Sequence, residues 1–167
     1  LGEYSALVIS DVLTFEDAVK TVHKRGVYMD EAVPAGQGAM AAILALDAEK
    51  LNAVCEQVSN TGEVVQIANF NCPGQIVISG TKQGVDEACK LAKEAGAKRA
   101  LLLVVSGPFH SALMQQAADN LATSIQTLDV QVPKIPVVSN VTSELLTTPE
   151  AIQQEMVGRL QSLFLVA

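Results

Sequence analysis

Apolar positions along the 167 residues switch between two periods, one near 3.6 and one near 2 or continuous. From the first residue, Leu1, Ala6, Leu7, Val8 and Ile9 keep helical spacing. Thr14 reads as a helix N-cap with Asp17 three residues on as a capping-box partner. Phe15, Ala18, Val19, Val22 and Met29 then predict one inward stripe. "AVPAGQG" (32–38) breaks the pattern with Pro and Gly and marks an edge between units.

A regular alternation follows. "AMAAILAL" (39–46) predicts a buried strand, and Asp47 caps a helix with Leu51, Val54, Cys55 and Val58 on one face. "EVVQIANF" (63–70) and "QIVISG" (75–80) predict two strands joined by the turn "NCPG" (71–74). Thr81 starts a helix with Val85, Ala88, Cys89, Ala92 and Ala95 inward, stopped by Gly96. "RALLLVVS" (99–106) predicts a fourth strand. Strand-helix-strand-strand-helix-strand is the order of a ferredoxin-like split βαβ unit, here at 36–106. Beyond it, "GPFH" (107–110) leads into a helix with Leu113, Met114, Ala117, Ala118, Leu121 and Ile125 inward. "VPKIPVVSNVTS" (132–143) holds one short strand, and Pro149 opens a last helix.

Composition narrows the classes. A formal charge of −7 and 4% aromatic residues without Trp argue against nucleic-acid binding. No apolar run approaches the ~18 residues of a membrane span. Three cysteines without CxxC spacing and two histidines argue against zinc and fit a reduced cytoplasm. Lys82, Asp86 and Lys90 form a ladder of alternating sign, so the basic stretch around them reads as a solvated helix face.

Two residues break their patterns in ways that suggest chemistry. Arg25 falls in phase with Ala18, Val22 and Met29, and a guanidinium on an apolar stripe needs an anion. That anion is either a carboxylate or phosphate of a ligand or the partner in a structural ion pair, unless the side chain snorkels out to water. His110 follows a strand and Gly107-Pro108, in what the stripe predicts to be the first turn of a helix. There the positive helix end favours the neutral imidazole that a general base needs, although a local backbone bond would also account for it. Cys72, in the "NCPG" turn, is the one candidate thiol nucleophile, while Cys55 and Cys89 read as core. Ser5 and Ser111 have no activating neighbour in the sequence, and Asn69, Asn71 and Gln75 cluster around a turn that they either satisfy or extend into a pocket.

The stretches "LGEYSALV", "RGVYMDEAVPAGQGAMAAIL", "NFNCPGQIVISG", "AGAKRALLLVVSGPFHSALM" and "IPVVSNVTS" resemble, in order and over most of 1–145, the malonyl-CoA:acyl carrier protein transacylases of fatty-acid synthesis. They are similar, more distantly, to the acyltransferase domains of polyketide synthases. The resemblance implies an α/β fold, part of an α/β-hydrolase-like acyltransferase domain with a ferredoxin-like βαββαβ subdomain. It divides the chain into a helical part of the large domain (1–35), the small subdomain (36–106) and a return to the large domain (107–167). The family's nucleophile elbow reads Gly-His-Ser-Leu-Gly-Glu, a strained strand-to-helix turn that exposes the serine. Here Leu1, Gly2 and Glu3 match its last three residues, so the serine is expected to lie outside the chain. The same holds for the family's Pro-Val-x-Trp closing segment, in whose place stands "LFLVA".

The other roles carry over position by position. The resemblance implies that Arg25 pairs with the free carboxylate of malonate, that His110 is the catalytic histidine and that the backbone amide of Leu1 belongs to the oxyanion hole. It puts Asn71 and Gln75 near the cleft. The implied reaction is malonyl transfer from coenzyme A to the phosphopantetheine thiol of acyl carrier protein through a malonyl-serine ester, with no metal or redox cofactor. The alternative is a catalytically dead remnant with a structural or binding role only. Without the serine the 167 residues by themselves are expected to form no malonyl ester, and their apolar flanks, 1–30 and 107–165, are expected to self-associate.

Overall fold

The computed structural model describes residues 2–139, 141–158 and 164–165. Two helices come first, α1 (Gly2–Ile9) and α2 (Phe15–Ala32). The Thr14 hydroxyl accepts the Asp17 amide, which satisfies one orphan donor of α2. β1 (Gly38–Leu44), α3 (Ala48–Ser59), β2 (Val65–Cys72), β3 (Gln75–Thr81), α4 (Lys82–Glu94) and β4 (Arg99–Leu102) follow. Asp47 caps α3 through the Lys50 amide, and that bond holds its carboxyl below the usual carboxylate range. Thr81 caps α4 through the Gly84 amide. Gly96, at φ 109°, takes the left-handed step after α4 that a side chain resists.

The sheet order is β4-β1-β3-β2, every neighbour antiparallel, which is the order of a split βαβ unit. β7 (Phe164–Leu165) adds parallel to β2 at Asn69 and Phe70. Alternation sorts β1 between two faces. Ala41 and Ile43 join Ile76, Ile78, Val65 and the inner stripes of α3 and α4 in one core. Met40 and Ala42 face the other way, with Ala68 and Val77.

After β4 the chain crosses that second face and enters a 3₁₀ turn (Ala112–Met114) and α5 (Gln115–Ile125). β5 (Val137–Val138) pairs with β6 (Leu145–Leu146), and α6 (Pro149–Gly158) closes the described fold. A second core joins α1, α2, α5 and α6 through Leu7, Val12, Met114, Leu121, Ile125, Ile152 and Met156. The loop after β5 is tied to α6 by Glu155, a buried carboxylate that accepts the Ser139 hydroxyl at 2.6 Å and the Val141 amide at 3.3 Å.

Four expectations need correction. The strand expected at 99–106 pairs with β1 only through Leu102, and Leu103 adds one last bond to the Met40 carbonyl before the chain leaves the sheet. Its continuing apolar run, Leu103, Val104 and Val105, is exposed. Phe15 and Val19 are exposed too, because the buried face of α2 runs through Ala18, Thr21 and Met29. Ala95 is exposed and caps α4 instead of packing beneath it. Among the described residues the ion pair on α4 is Lys90–Glu87 at 3.0 Å, so Lys90 bonds the carboxylate three residues back, and the expected partner Asp86, four back, adds only a smaller attraction.

The packing makes three predictions. A Cβ on Gly80 would overlap the Val64 carbonyl, which is backbone and cannot give way. Gly80→Ala should therefore lose about 1–3 kcal/mol in urea unfolding, and a wild-type midpoint would contradict the close approach. Burial pushes the Cys55 thiol up to about 12 from its ordinary 9.0, with Cys89 and Glu56 adding repulsion. The unfolded thiol ionises first, so the stability that Cys55 contributes is complete below pH 9.0 and is lost as pH rises toward 12. Relative to Cys55→Ala, the wild-type unfolding midpoint should fall across that window. At pH 8 iodoacetamide should modify exposed Cys72 and spare Cys55; equal rates would contradict the packing.

Candidate active site

His110 sits in a turn, and the expectation that it opens a helix is corrected. Its φ is 59°, in the left-handed region. The 3₁₀ turn begins only at Ala112 and α5 only at Gln115. The field of a helix end fades within a turn, so the dipole argument for a neutral imidazole lapses. The stripe phase misled because Met114 and Ala117 do point inward while the turn before them follows no helical period.

What fixes this turn is its seat on the second face of the sheet. Pro108 lies against Gly38, where an added Cβ would collide with all three ring methylenes. Gly38 is therefore a glycine for space, at a position whose φ any residue could adopt. Phe109 packs on Met40, Ala42, Ala68 and Val77, and also reaches the helical core. It is the side chain that bridges the two. Ser111 is fully buried, and its hydroxyl donates to the Pro108 carbonyl at 2.6 Å, closing the turn on itself. That bond uses the Ser111 hydroxyl as a brace.

Gln66 of β2 completes the seat. Its Nε2 donates to the His110 carbonyl at 3.4 Å, and its Oε1 accepts the Ala112 amide at 3.0 Å. The sequence reading passed over Gln66. The available signal was a polar residue two positions before Ala68, on a strand face that otherwise predicts burial.

Arg25 is half-buried on α2, in line with Ala18, Thr21 and Met29, the face that packs against α5. Tyr28, on the same helix, bonds Ser124 of α5 at 3.0 Å and fixes the two helices against each other. A guanidinium presents a planar fork of donors that matches a carboxylate or phosphate. Asn71 is exposed and Gln75 half-buried, at the β2–β3 hairpin. Asn71 stands five residues along β2 from Gln66, about 16 Å of strand. Cys72 is exposed there, and its thiol donates to Gln75 Oε1 at 3.6 Å. Leu1 lies outside the described residues.

The family profile described as acyl transferase domain matches residues 1–162. A malonyl CoA-acyl carrier protein transacylase of Bacillus subtilis (strain 168) is 55% identical over 162 residues, 97% of this chain and 51% of the relative. The solved malonyl CoA-acyl carrier protein transacylase of Coxiella burnetii superposes with a TM-score of 0.93 at 45% identity, over 98% of this chain and 51% of that one. A type II PKS acyl-carrier protein complex with its malonyl-transacylase also superposes at 0.93, with 45% identity and 97% and 52% coverage. The chain thus spans about half the length of the relatives it matches. With the profile running through both cores and the His110 turn between them, the chain belongs to the acyl transferase domain family.

Proposed function

We propose that these residues form half of a transferase that moves a malonyl group from coenzyme A to the phosphopantetheine thiol of an acyl carrier protein. The observation that carries the reading is the 55% identity to a malonyl CoA-acyl carrier protein transacylase over nearly the whole chain. Nothing in the comparisons supports the alternative of a purely structural remnant. The reaction requires the elbow serine, which in the family pattern stands just before Leu1.

In this reading His110 takes the serine proton as the hydroxyl attacks the malonyl thioester, and returns it to the departing coenzyme A thiol. It repeats the exchange when the carrier thiol attacks the malonyl-serine ester. Leu1 supplies an oxyanion amide, Arg25 receives the malonyl carboxylate, and Asn71 and Gln75 line the approach. The thioester is itself the activated acyl donor, so the chemistry calls on no metal or redox group. Residues 36–106 act as the small subdomain, and 1–35 and 107–167 belong to the catalytic body.

A cytoplasmic setting fits the three unpaired cysteines. No helix among the described residues is long and apolar enough to cross a membrane. A cleft of about 600 Å³ between α1 and α2, lined by Tyr4, Val8, Phe15, Val19 and Val22, supports self-association of the isolated 167 residues.

The test uses these residues joined to the flanking segments of the Bacillus subtilis relative. Removing one partner of a desolvated charge pair costs on the order of 2–5 kcal/mol. Arg25→Ala should therefore lower kcat/KM for malonyl-CoA by roughly thirty-fold to several thousand-fold, and leave acetyl-CoA transfer intact or improved. Arg25→Lys should recover part of the preference, since an ammonium makes no parallel pair of bonds. An equal loss for both substrates would make Arg25 structural, and full activity in His110→Ala would overturn the reading itself.

A further inference from the structure

We propose that Gln66 is the positioning residue of His110: its carboxamide clasps the backbone on either side of Ser111 and sets the direction in which the imidazole leaves the turn. The inference deepens the proposed function and rests on the role given there to His110.

The two bonds are of opposite sense, one donated to the His110 carbonyl and one accepted from the Ala112 amide. A neutral carboxamide can make both with one group. A glutamate would keep the acceptor and lose the donor; a serine would reach neither. The residue clasped needs holding. A non-glycine residue in the left-handed region is disfavoured and persists only where its surroundings over-determine it. His110 is such a residue, at φ 59°. Pro108 and Phe109 anchor the turn before it, by packing. The Ser111 hydroxyl is turned back onto Pro108 and holds nothing beyond the turn. Gln66 is a polar hold that reaches the turn from the sheet, across 44 residues of sequence.

Its own placement is firm. Gln66 pairs in register with Ser79 of β3, and Ser79 with Met40 of β1, on the face where Phe109 sits. A shift of β2 against β3 would therefore move the clasp and His110 together. This ties the small subdomain directly to the general base.

The experiment uses the 167-residue chain and nuclear magnetic resonance. His23, exposed on α2, is the internal control. In Gln66→Met, which keeps the length of the stem and removes both polar ends, the Ala112 amide should exchange with solvent roughly ten-fold faster. The His110 ring resonances should move while those of His23 stay. In Gln66→Glu the Ala112 amide should stay protected while the His110 ring resonances still move, because the donor to its carbonyl is gone. Unchanged His110 resonances in either variant would overturn the proposal, as would an unaltered Ala112 exchange rate in Gln66→Met. Should the methionine variant fail to fold, Gln66→Glu decides alone by its His110 resonances. These readouts concern the turn only, so they stand or fall separately from the malonyl-transfer test of His110→Ala.

Discussion

The seat of Phe109 on the sheet is the contact from which the rest of the site follows. A β-sheet has two faces, and this one commits its first to α3 and α4. The second would be an apolar surface in water if the chain did not return across it. The turn 107–111 makes that return. Phe109 covers Met40, Ala42, Ala68 and Val77 and also reaches the helical core, so one aromatic ring joins two hydrophobic clusters that the sequence separates. Phe109 is half-buried there, and covering part of such a ring is worth on the order of 1 kcal/mol or more, comparable to what the adjacent residue loses in a backbone conformation it would not choose alone. The residue so held is His110.

The helices and the sheet were largely legible in the sequence because each is encoded locally. Thr14, Asp47 and Thr81 announce three helix starts with a side-chain oxygen, and all three make the bond that the pattern implies. The stripes of α3 and α4 and the alternation of β1 follow from period alone. The end of β4 was not legible. A run of Leu and Val says that a segment is apolar, and says nothing of where a partner strand stops pairing. The His110 turn failed for a related reason. Left-handed φ is usually announced by Gly or Asn. Here tertiary packing imposes it on a histidine, and no local residue reports it. Gln66 showed in the sequence only as a polar residue on a strand face that otherwise predicts burial, because its two partners lie 44 and 46 residues away.

The candidate site divides along the same line. Arg25 could be found by phase, since one charge on an apolar stripe contradicts its neighbours, and the structure keeps it half-buried in that line. Its proposed ligand came from resemblance, since helical phase shows only that some anion is needed. His110 could be found by its place after a strand and Gly-Pro, but the reason for its orientation lies in the sheet beneath it. Catalytic geometry of this kind tolerates little slack, because misplacement by about 1 Å can cost a hundred-fold in rate. Under the proposed role a base on this turn needs a rigid support, and the sheet carries the turn through Phe109.

The account's central claim is that packing on the sheet, and not the turn's own sequence, holds His110 left-handed. The most direct measurement is the His110 backbone φ, from its amide-to-Hα coupling and intraresidue nuclear Overhauser effect, in the wild-type chain and in Phe109→Ala. The account predicts the left-handed signature in the wild type and its loss in Phe109→Ala, with the β1–β3 pairing still intact. A left-handed His110 that survives the loss of Phe109 unchanged, or one that is absent from the wild type, would contradict it.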